Sequence, residues 1–311
     1  MTNYIALENG QKAMLDELLK MRNENDTFEL EAKITRPIAV EQIRKLSYEL
    51  ERFGYKKIDE PETLDINFYT NNDKEELSIR YTITGLENIK TYCRTDVAPQ
   101  GAAILYKRRL RWADGFQIPS ELLNDIPPAL RQVAVLDVND YSFRVNLKNE
   151  IPYVRASKNF KDADEKTLKD ALQSMDKIET IGYENTLKLF RYKKRISFLS
   201  PNEQYRVDLT TVKSNKRTMS LITNREEYQY TTTFRESGCL NEKEVYEVEI
   251  EYVGKDKSYL TIDALLELVT VVQSLLFSKT YVSISNSHRA DVLYEYVETV
   301  RTMLISGVTY T

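Results

Sequence analysis

The stretch "VYEVEIEYVG" (245–254) sets Glu247, Glu249 and Glu251 at every second position, with Tyr246, Val248, Ile250 and Tyr252 alternating with them. Successive side chains of a strand point to opposite faces, so the three carboxylates share one face at a spacing of about 7 Å. Like charges in a row need either open water or an ion. The same kind of face recurs along the chain. Glu29 and Glu31 share one in "FELEAK", with Lys33 beyond them. Arg191, Lys193 and Arg195 share one in "RYKKR", and Arg206, Asp208 and Thr210 share one in "YRVDLT". Arg144, Asn146, Lys148 and Glu150 line "RVNLKNE"; Lys107, Arg109 and Arg111 line "YKRRLR"; Arg80 stands among Ser78, Thr82 and Thr84.

These faces are sorted by sign. Carboxylates dominate the first and last strands, and Arg and Lys dominate the middle ones. Water is the competing explanation, but solvated sheet faces mix signs and use Ser, Thr and Gln freely, so the sorting speaks against it. The interior of a closed barrel is the alternative location, and there the charges need partners. An all-oxygen acidic wall without His or Cys suits Mg²⁺ or Mn²⁺. A basic wall of Arg forks suits phosphate. Metal-binding carboxylates facing an Arg/Lys cluster are a layout for phosphoryl transfer, the cations holding charge that develops on phosphate oxygens.

The elements that must position these residues follow from periodicity. Strands are expected at 63–70, 76–85, 102–112, 140–148, 188–199, 204–213 and 245–253, besides "FELEAK". Helical spacing covers 4–22 (Ile5, Met14, Leu15, Leu18, Leu19) and 38–53, which Pro37 opens and Gly54 follows. It recurs at 164–178 (Leu168, Leu172, Met175, Ile178), at about 262–278 and at about 287–305. Residues 214–244 are polar and read as a long connection. No internal repeat is present. The body is therefore antiparallel and β-rich with helices at both ends, an α+β chain.

Composition narrows the function. The chain has 311 residues and a net charge of −4, so a protein gripping long nucleic acid by its phosphates is disfavoured, and any RNA or DNA ligand should be a short piece. The single histidine, His288, rules out His-based zinc sites and reads as a helix-surface residue. Two cysteines, Cys93 and Cys239, give no disulfide framework and no metal spacing, which points to a reducing, cytoplasmic setting. The start resembles no signal peptide, and no apolar run is long enough to span a membrane.

The set of motifs, in order, resembles a known family. "ELEAK", then "YKKRISF" followed by "YRVDLTTVK", and finally "YEVEIEY" are similar to the metal-dependent RNA 5′-triphosphatases of the triphosphate tunnel metalloenzyme superfamily. They are most like the N-terminal triphosphatase domains of mRNA capping enzymes of large cytoplasmic DNA viruses. The likeness runs from about residue 28 to 305.

The resemblance implies a closed, eight-stranded antiparallel β-barrel with helices packed outside, and a single domain over 1–311. An N-terminal helix would occupy 1–25, tunnel strands with helical insertions 26–254, and a helix pair 255–311. It implies hydrolysis of the γ-phosphate of 5′-triphosphate RNA, with Mg²⁺ or Mn²⁺ held by Glu29, Glu31 and Glu251. Glu247 and Glu249 would complete the acidic wall. Lys193, Arg195 and Arg206 match phosphate-contacting positions, and Asp208 and Thr210 match positions that orient them and the nucleophile. Arg80, Lys107, Lys148, Glu150 and Arg191 would line the substrate path, although insertions around 113–140 and 151–187 interrupt that part of the match.

The partners implied are a 5′-triphosphate RNA end, a guanylyltransferase domain continuing the same polypeptide, and a cap methyltransferase. The setting implied is the cytoplasm, with packaging in a virion as an extension of it. No K-x-D-G lysine nucleophile is present, because "RWADG" (111–115) has Trp112 in that place. The finish soon after a helix suggests a domain cut from a longer enzyme. Two other functions stay open: a tunnel enzyme acting on tripolyphosphate, thiamine triphosphate or NTPs, and a non-catalytic RNA-end-binding module.

Overall fold

Strands that alternate apolar and charged side chains must bury one face and leave the other for a different use. The computed structural model describes residues 5–277 except 73, 111–133, 155, 156, 158, 162 and 220–223. Eight of its strands form a ring: β1 (Phe28–Ile34), β3 (Thr63–Tyr69), β4 (Glu76–Thr84), β5 (Ala103–Arg109), β7 (Phe143–Val154), β9 (Leu187–Leu199), β10 (Tyr205–Ser214) and β13 (Val245–Tyr252). Around the ring the order is β1-β13-β10-β9-β3-β4-β5-β7, and β7 pairs back onto β1, so the sheet closes. Every pairing is antiparallel. The expected eight-stranded antiparallel barrel is the fold the chain has.

The apolar faces point outward. One core lies over β1, β7, β10 and β13 and is covered by α1 (Asn9–Glu24), α2 (Val40–Arg52) and α6 (Ile262–Phe277). A second lies over β3, β4, β5 and β9, under α3 (Leu86–Thr95) and α4 (Glu165–Ile181). Leu30, Ala32, Val145, Leu147, Val207, Val248 and Ile250 are almost completely buried in the first core, and Leu64, Ile66, Phe68, Ile83 and Phe190 in the second. The interior of the ring is thereby left to the polar faces. No described helix is long and apolar enough to cross a membrane.

Several expected boundaries move. The first helix begins at Asn9, with Ile5 buried ahead of it, and the strand expected at 140–148 begins at Phe143 after a 3₁₀ turn (Asn139–Tyr141) and runs on to Val154. α2 stops where expected, at Gly54, whose φ of +78° lies in the left-handed region that a side chain disfavours. The connection 214–244 is not featureless. It carries a small hairpin, β11 (Arg217–Met219) with β12 (Glu226–Tyr228), and the short helix α5 (Phe234–Ser237). Four further elements go beyond the expected set: α3, β2 (Lys56–Asp59, on β9), and β6 (Val135–Val138) and β8 (Asn159–Phe160), both on β7.

The face of α4 also differs. Leu172 is 43% exposed, and the buried side is Thr167, Ala171, Ser174 and Ile178. Small side chains let this helix approach β4 closely enough for Ser174 Oγ to accept the Ser78 N–H at 3.2 Å. Asp170 accepts from the hydroxyls of Ser78 and Tyr106 at 3.1 and 2.9 Å. Polar anchoring is added to the apolar stripe, of which Leu168, Met175 and Ile178 pack on the second core as expected and only Leu172 does not. The helix expected at 287–305, with His288, and the "RWADG" stretch with Arg111 and Trp112 lie outside the described residues.

Candidate active site

The register of the ring brings the sorted faces into one tunnel. Across β10 and β13 the partners are Arg206↔Glu251, Asp208↔Glu249 and Thr210↔Glu247. Across β10 and β9 they are Thr210↔Arg195 and Asp208↔Ser197. β1 closes the acidic wall with Glu31↔Glu251 on one side and Glu29↔Lys148 on the other, and β5 and β7 add Lys107↔Glu150. Directly opposed residues of an antiparallel pair project from the same face, so these side chains share the interior.

All fifteen residues singled out in the sequence lie on this inner surface. Arg195 contacts Asp208 at 3.1 Å and donates its Nε–H to Thr210 Oγ1 at 3.2 Å, and Arg206 contacts Asp208 at 2.9 Å and Glu251 at 2.6 Å. Ser197 donates its hydroxyl to Asp208 at 2.7 Å. Arg191 Nη2 reaches both oxygens of Glu247 at 2.9 Å. Across the tunnel, Lys148 pairs with Glu31, Lys107 pairs with Glu150, and Arg80 contacts Glu150 at 3.3 Å. Arg144, on the same sequence face as Lys148, is instead held at the rim by Asp137 at 2.5 and 3.0 Å.

One inward residue escaped the sequence reading, and one that was read only as a neighbour of Glu29 and Glu31 gains a role. Asp65 on β3 is 4% exposed, contacts Lys193 at 2.5 Å and Arg80 at 3.8 Å, and accepts from Thr82 Oγ1 at 2.8 Å. The alternation of Leu64, Ile66 and Phe68 with Thr63, Asp65 and Asn67 would have located it. Lys33 ties the acidic row together, reaching Glu247 at 2.8 Å and Glu249 at 3.3 Å.

The charges balance. Eight buried or half-buried carboxylates (Glu29, Glu31, Asp65, Glu150, Asp208, Glu247, Glu249, Glu251) face eight half-buried cations (Lys33, Arg80, Lys107, Lys148, Arg191, Lys193, Arg195, Arg206), while Arg109, opposite Lys148 on the same face, is exposed. Their protonation reflects the crowding. Burial, the pull of Asp65 against it and the push of Arg191 and Arg80 together leave Lys193 at about 8. Burial, with Arg80 and Lys148 close by, holds Lys107 well below the usual lysine range. Burial opposes ionisation of Glu249, yet Lys33, Lys148 and Arg195 hold its carboxyl well below the carboxylate range. Glu251 goes the other way. Burial and the neighbouring Glu29 raise it to about 7 against the pull of Arg206.

That last corner decides whether a cation suits the site. Glu29 makes no side-chain hydrogen bond or ion pair among the described residues, and it and Glu31 both press on Glu251. The corner therefore holds surplus negative charge on oxygen donors alone, the donor set of a hard divalent ion. Among the described residues no three such side chains already converge as a finished cage, because Lys148 draws Glu31 aside and Arg206 draws Glu251. The donors fit a Mg²⁺-class ion by chemistry and by charge.

No protein-family model matches the chain, and no curated protein matches it in sequence. Solved structures do match. The triclinic form of the Mimivirus capping enzyme triphosphatase superposes with a TM-score of 0.53 at 16% identity, covering 86% of this chain and 99% of that one. The RNA triphosphatase domain of the trifunctional mimivirus mRNA capping enzyme does so with 0.53 and 16%, covering 86% and 100%. The monoclinic form of the Mimivirus triphosphatase gives 0.54 and 16%, covering 87% and 98%. With its ring of eight antiparallel strands and its outer helices, this chain shares the fold of a viral capping-enzyme triphosphatase domain over most of its length.

Proposed function

We propose that this protein is a metal-dependent RNA 5′-triphosphatase, releasing the γ-phosphate of 5′-triphosphate RNA to leave a 5′-diphosphate end. The observation that carries the reading is the closed tunnel in which eight carboxylates and eight cations face each other. An interior of balanced charge holds a multiply charged triphosphate only if a further cation accompanies it. Glu29, Glu31 and Glu251 are the residues that would hold a Mg²⁺ or Mn²⁺ ion, which when bound supplies a Lewis acid for the γ-phosphate.

The chain's own residues do the rest. Arg195, Lys193 and Arg206 take the phosphate oxygens and the charge that grows on them in the transition state. Asp208 holds both arginines, Thr210 and Ser197 fix that cluster, and Asp65 holds Lys193. Glu247 and Glu249 keep Lys33 and Arg191 inside the tunnel. Arg80, Lys107, Lys148 and Glu150 form the opposite wall of the substrate path.

Because the fold is that of a domain from a trifunctional mRNA capping enzyme, the product is suited to guanylyl transfer and then methylation. A guanylyltransferase domain in the same polypeptide and a cap methyltransferase are the partners this reading implies. Cys93 and Cys239 are both free thiols, in keeping with action in the cytoplasm.

The test is release of labelled phosphate from γ-labelled triphosphate RNA, compared with tripolyphosphate, both in Mg²⁺, with Mn²⁺ and EDTA as further arms. Turnover of RNA that EDTA abolishes and Mg²⁺ restores is the expected result. Preference for tripolyphosphate would favour the small-triphosphate alternative, and full activity in EDTA would remove the metal from the mechanism.

A further inference from the structure

The tunnel has two unlike ends, and the difference sets the direction in which a substrate must lie. Glu29, Glu31 and Glu251 stand toward one end. From Glu251 to Glu247 the acidic row runs about 13 Å along β13 toward the other, at about 3.3 Å per residue. Arg195, Lys193 and Arg191 step the same way along β9. Past Glu251 and Arg206, alternation on β9, β10 and β13 leads to Leu199, Gln204 and Val253, which offer phosphates no cation. A triphosphate with its terminal phosphate at the carboxylates therefore directs its nucleoside toward Arg191.

At that end stands the β11–β12 hairpin. Asn215 pins its base to the start of β9, accepting the Phe190 N–H at 2.7 Å and donating to the carbonyls of Lys188 at 3.0 Å and Gln229 at 2.8 Å. A bridge between Lys188 and Thr231 fixes the returning strand beside β9. Tyr228 is thereby brought near enough to Arg191 for the two groups to interact electrostatically. Opposite Tyr228 in the hairpin register is Arg217, exposed, its guanidinium 4.5 Å from the ring centroid and its Nη2 donating to the Tyr228 hydroxyl at 2.6 Å. Tyr230, two residues on, packs against Tyr69 with ring centroids 4.2 Å apart. Tyr69 is the last residue of β3 and belongs to neither apolar core.

We propose that Arg217, held over the Tyr228 ring, is the stacking platform for the first nucleoside of the RNA. The inference rests on the triphosphatase reading and deepens it by giving the RNA a direction and its first base a seat. A planar guanidinium backed by an aromatic ring accepts any base by its π-face, so the platform recognises a nucleoside without choosing its sequence. Glu226 and Glu227 lie further along β12 and the chain is net negative, which confines the contact to the nucleoside next to the triphosphate and excludes a long phosphate track.

The test compares two substrates on the same protein: a short 5′-triphosphate RNA, and inorganic tripolyphosphate, which has no base. In Arg217→Ala and Tyr228→Ala the ratio of kcat/KM for RNA to that for tripolyphosphate should fall about tenfold or more, mainly through KM for RNA, as loss of one base-stacking contact implies. Tyr228→Phe keeps the ring and should keep the ratio within about twofold of wild type. A ratio unmoved in both alanine variants overturns the platform. So does an equal loss on both substrates, which would mean that the hairpin only supports the tunnel. If wild-type protein releases phosphate from neither substrate, the triphosphatase reading itself falls and the platform with it.

Discussion

Replacing Glu251 by Gln separates what this carboxylate does for stability from what it does for function. In the empty tunnel, burial and Glu29 raise its carboxyl from the ordinary glutamate value of 4.5 to about 7, and the side chain is only 19% exposed. Holding it ionised in the folded protein therefore costs about 3 kcal/mol more than in the unfolded chain. The sign follows from the raised value. Below pH 4.5 the group is protonated in both states and costs nothing; between 4.5 and 7 wild type loses stability as pH rises; above 7 the full cost is present. Gln stays neutral throughout. Without metal at pH 8, Glu251→Gln should therefore exceed wild type by up to about 3 kcal/mol, or about 5 °C in Tm for a chain of this size. At pH 5 the gap should shrink to about 1 kcal/mol or less. Arg206 keeps Asp208 at 2.9 Å, so no buried cation is stranded. Mn²⁺ should raise the Tm of wild type, leave the variant unmoved, and restore no phosphate release to it. The assay is a set of thermal melts at both pH values with and without Mn²⁺, beside phosphate release. A variant no more stable than wild type at pH 8, or one that still responds to Mn²⁺, would refute the reasoning.

Arg195→Ala and Arg206→Ala should each slow hydrolysis by about 10²-fold or more with little change in melting temperature, because Asp208 keeps the other arginine and Ser197; near wild-type rates in both would put phosphate binding elsewhere. With Lys193 at about 8 in the empty tunnel, kcat/KM should decline as pH rises above 8, and Lys193→Arg should move that limb upward. The same lowering makes charged Lys193 a cost to the fold below pH 8 that is relieved between 8 and 10.5, so the empty protein should gain stability from this group in that window, measurable by denaturant melts. On α4, Ala171→Leu should destabilise by about 1–3 kcal/mol by forcing the helix off β4, whereas Leu172→Ala should stay within about 0.5 kcal/mol.

The parts legible in the sequence are those where two periodicities agree. In β1, β9, β10 and β13 the apolar and the charged residues each repeat every second position, so both the strand and its inner face could be read, and with them Glu29, Glu31, Arg195, Arg206 and Glu251. Asp65 was missed because a single carboxylate among Thr63 and Asn67 forms no row; only its depth in the tunnel, against Lys193 and Arg80, reveals its role. Leu172 misled because helical spacing counts apolar residues, while α4 is seated by Ala171, Ser174 and the hydrogen bonds of Asp170. The hairpin and α5 within 214–244 were hidden because they are short and polar, held by Asn215 and Lys188 contacts to backbone carbonyls that no periodicity records.

The closing pairs of the ring have a consequence for synthesis. β1 is made first among the strands of the ring and finds its two neighbours in β7 and in β13, the last of the ring to appear; Lys33 and Glu249, hydrogen-bonded across that seam, are 216 positions apart. Contacts so distant in sequence are slow to form, because a long stretch of chain must be ordered before they can. Until β13 emerges from the ribosome, β1 and β10 both present open edges, and the half-built tunnel lacks Glu247, Glu249 and Glu251. Eight cations then face five carboxylates. The nascent interior is cationic, and the three glutamates that neutralise it arrive on the strand that also completes the acidic corner. Charge neutrality of the interior, barrel closure and the assembly of Glu29, Glu31 and Glu251 thus come at one step, late in translation, and a chain stopped before residue 245 has a cation-rich interior and none of the three.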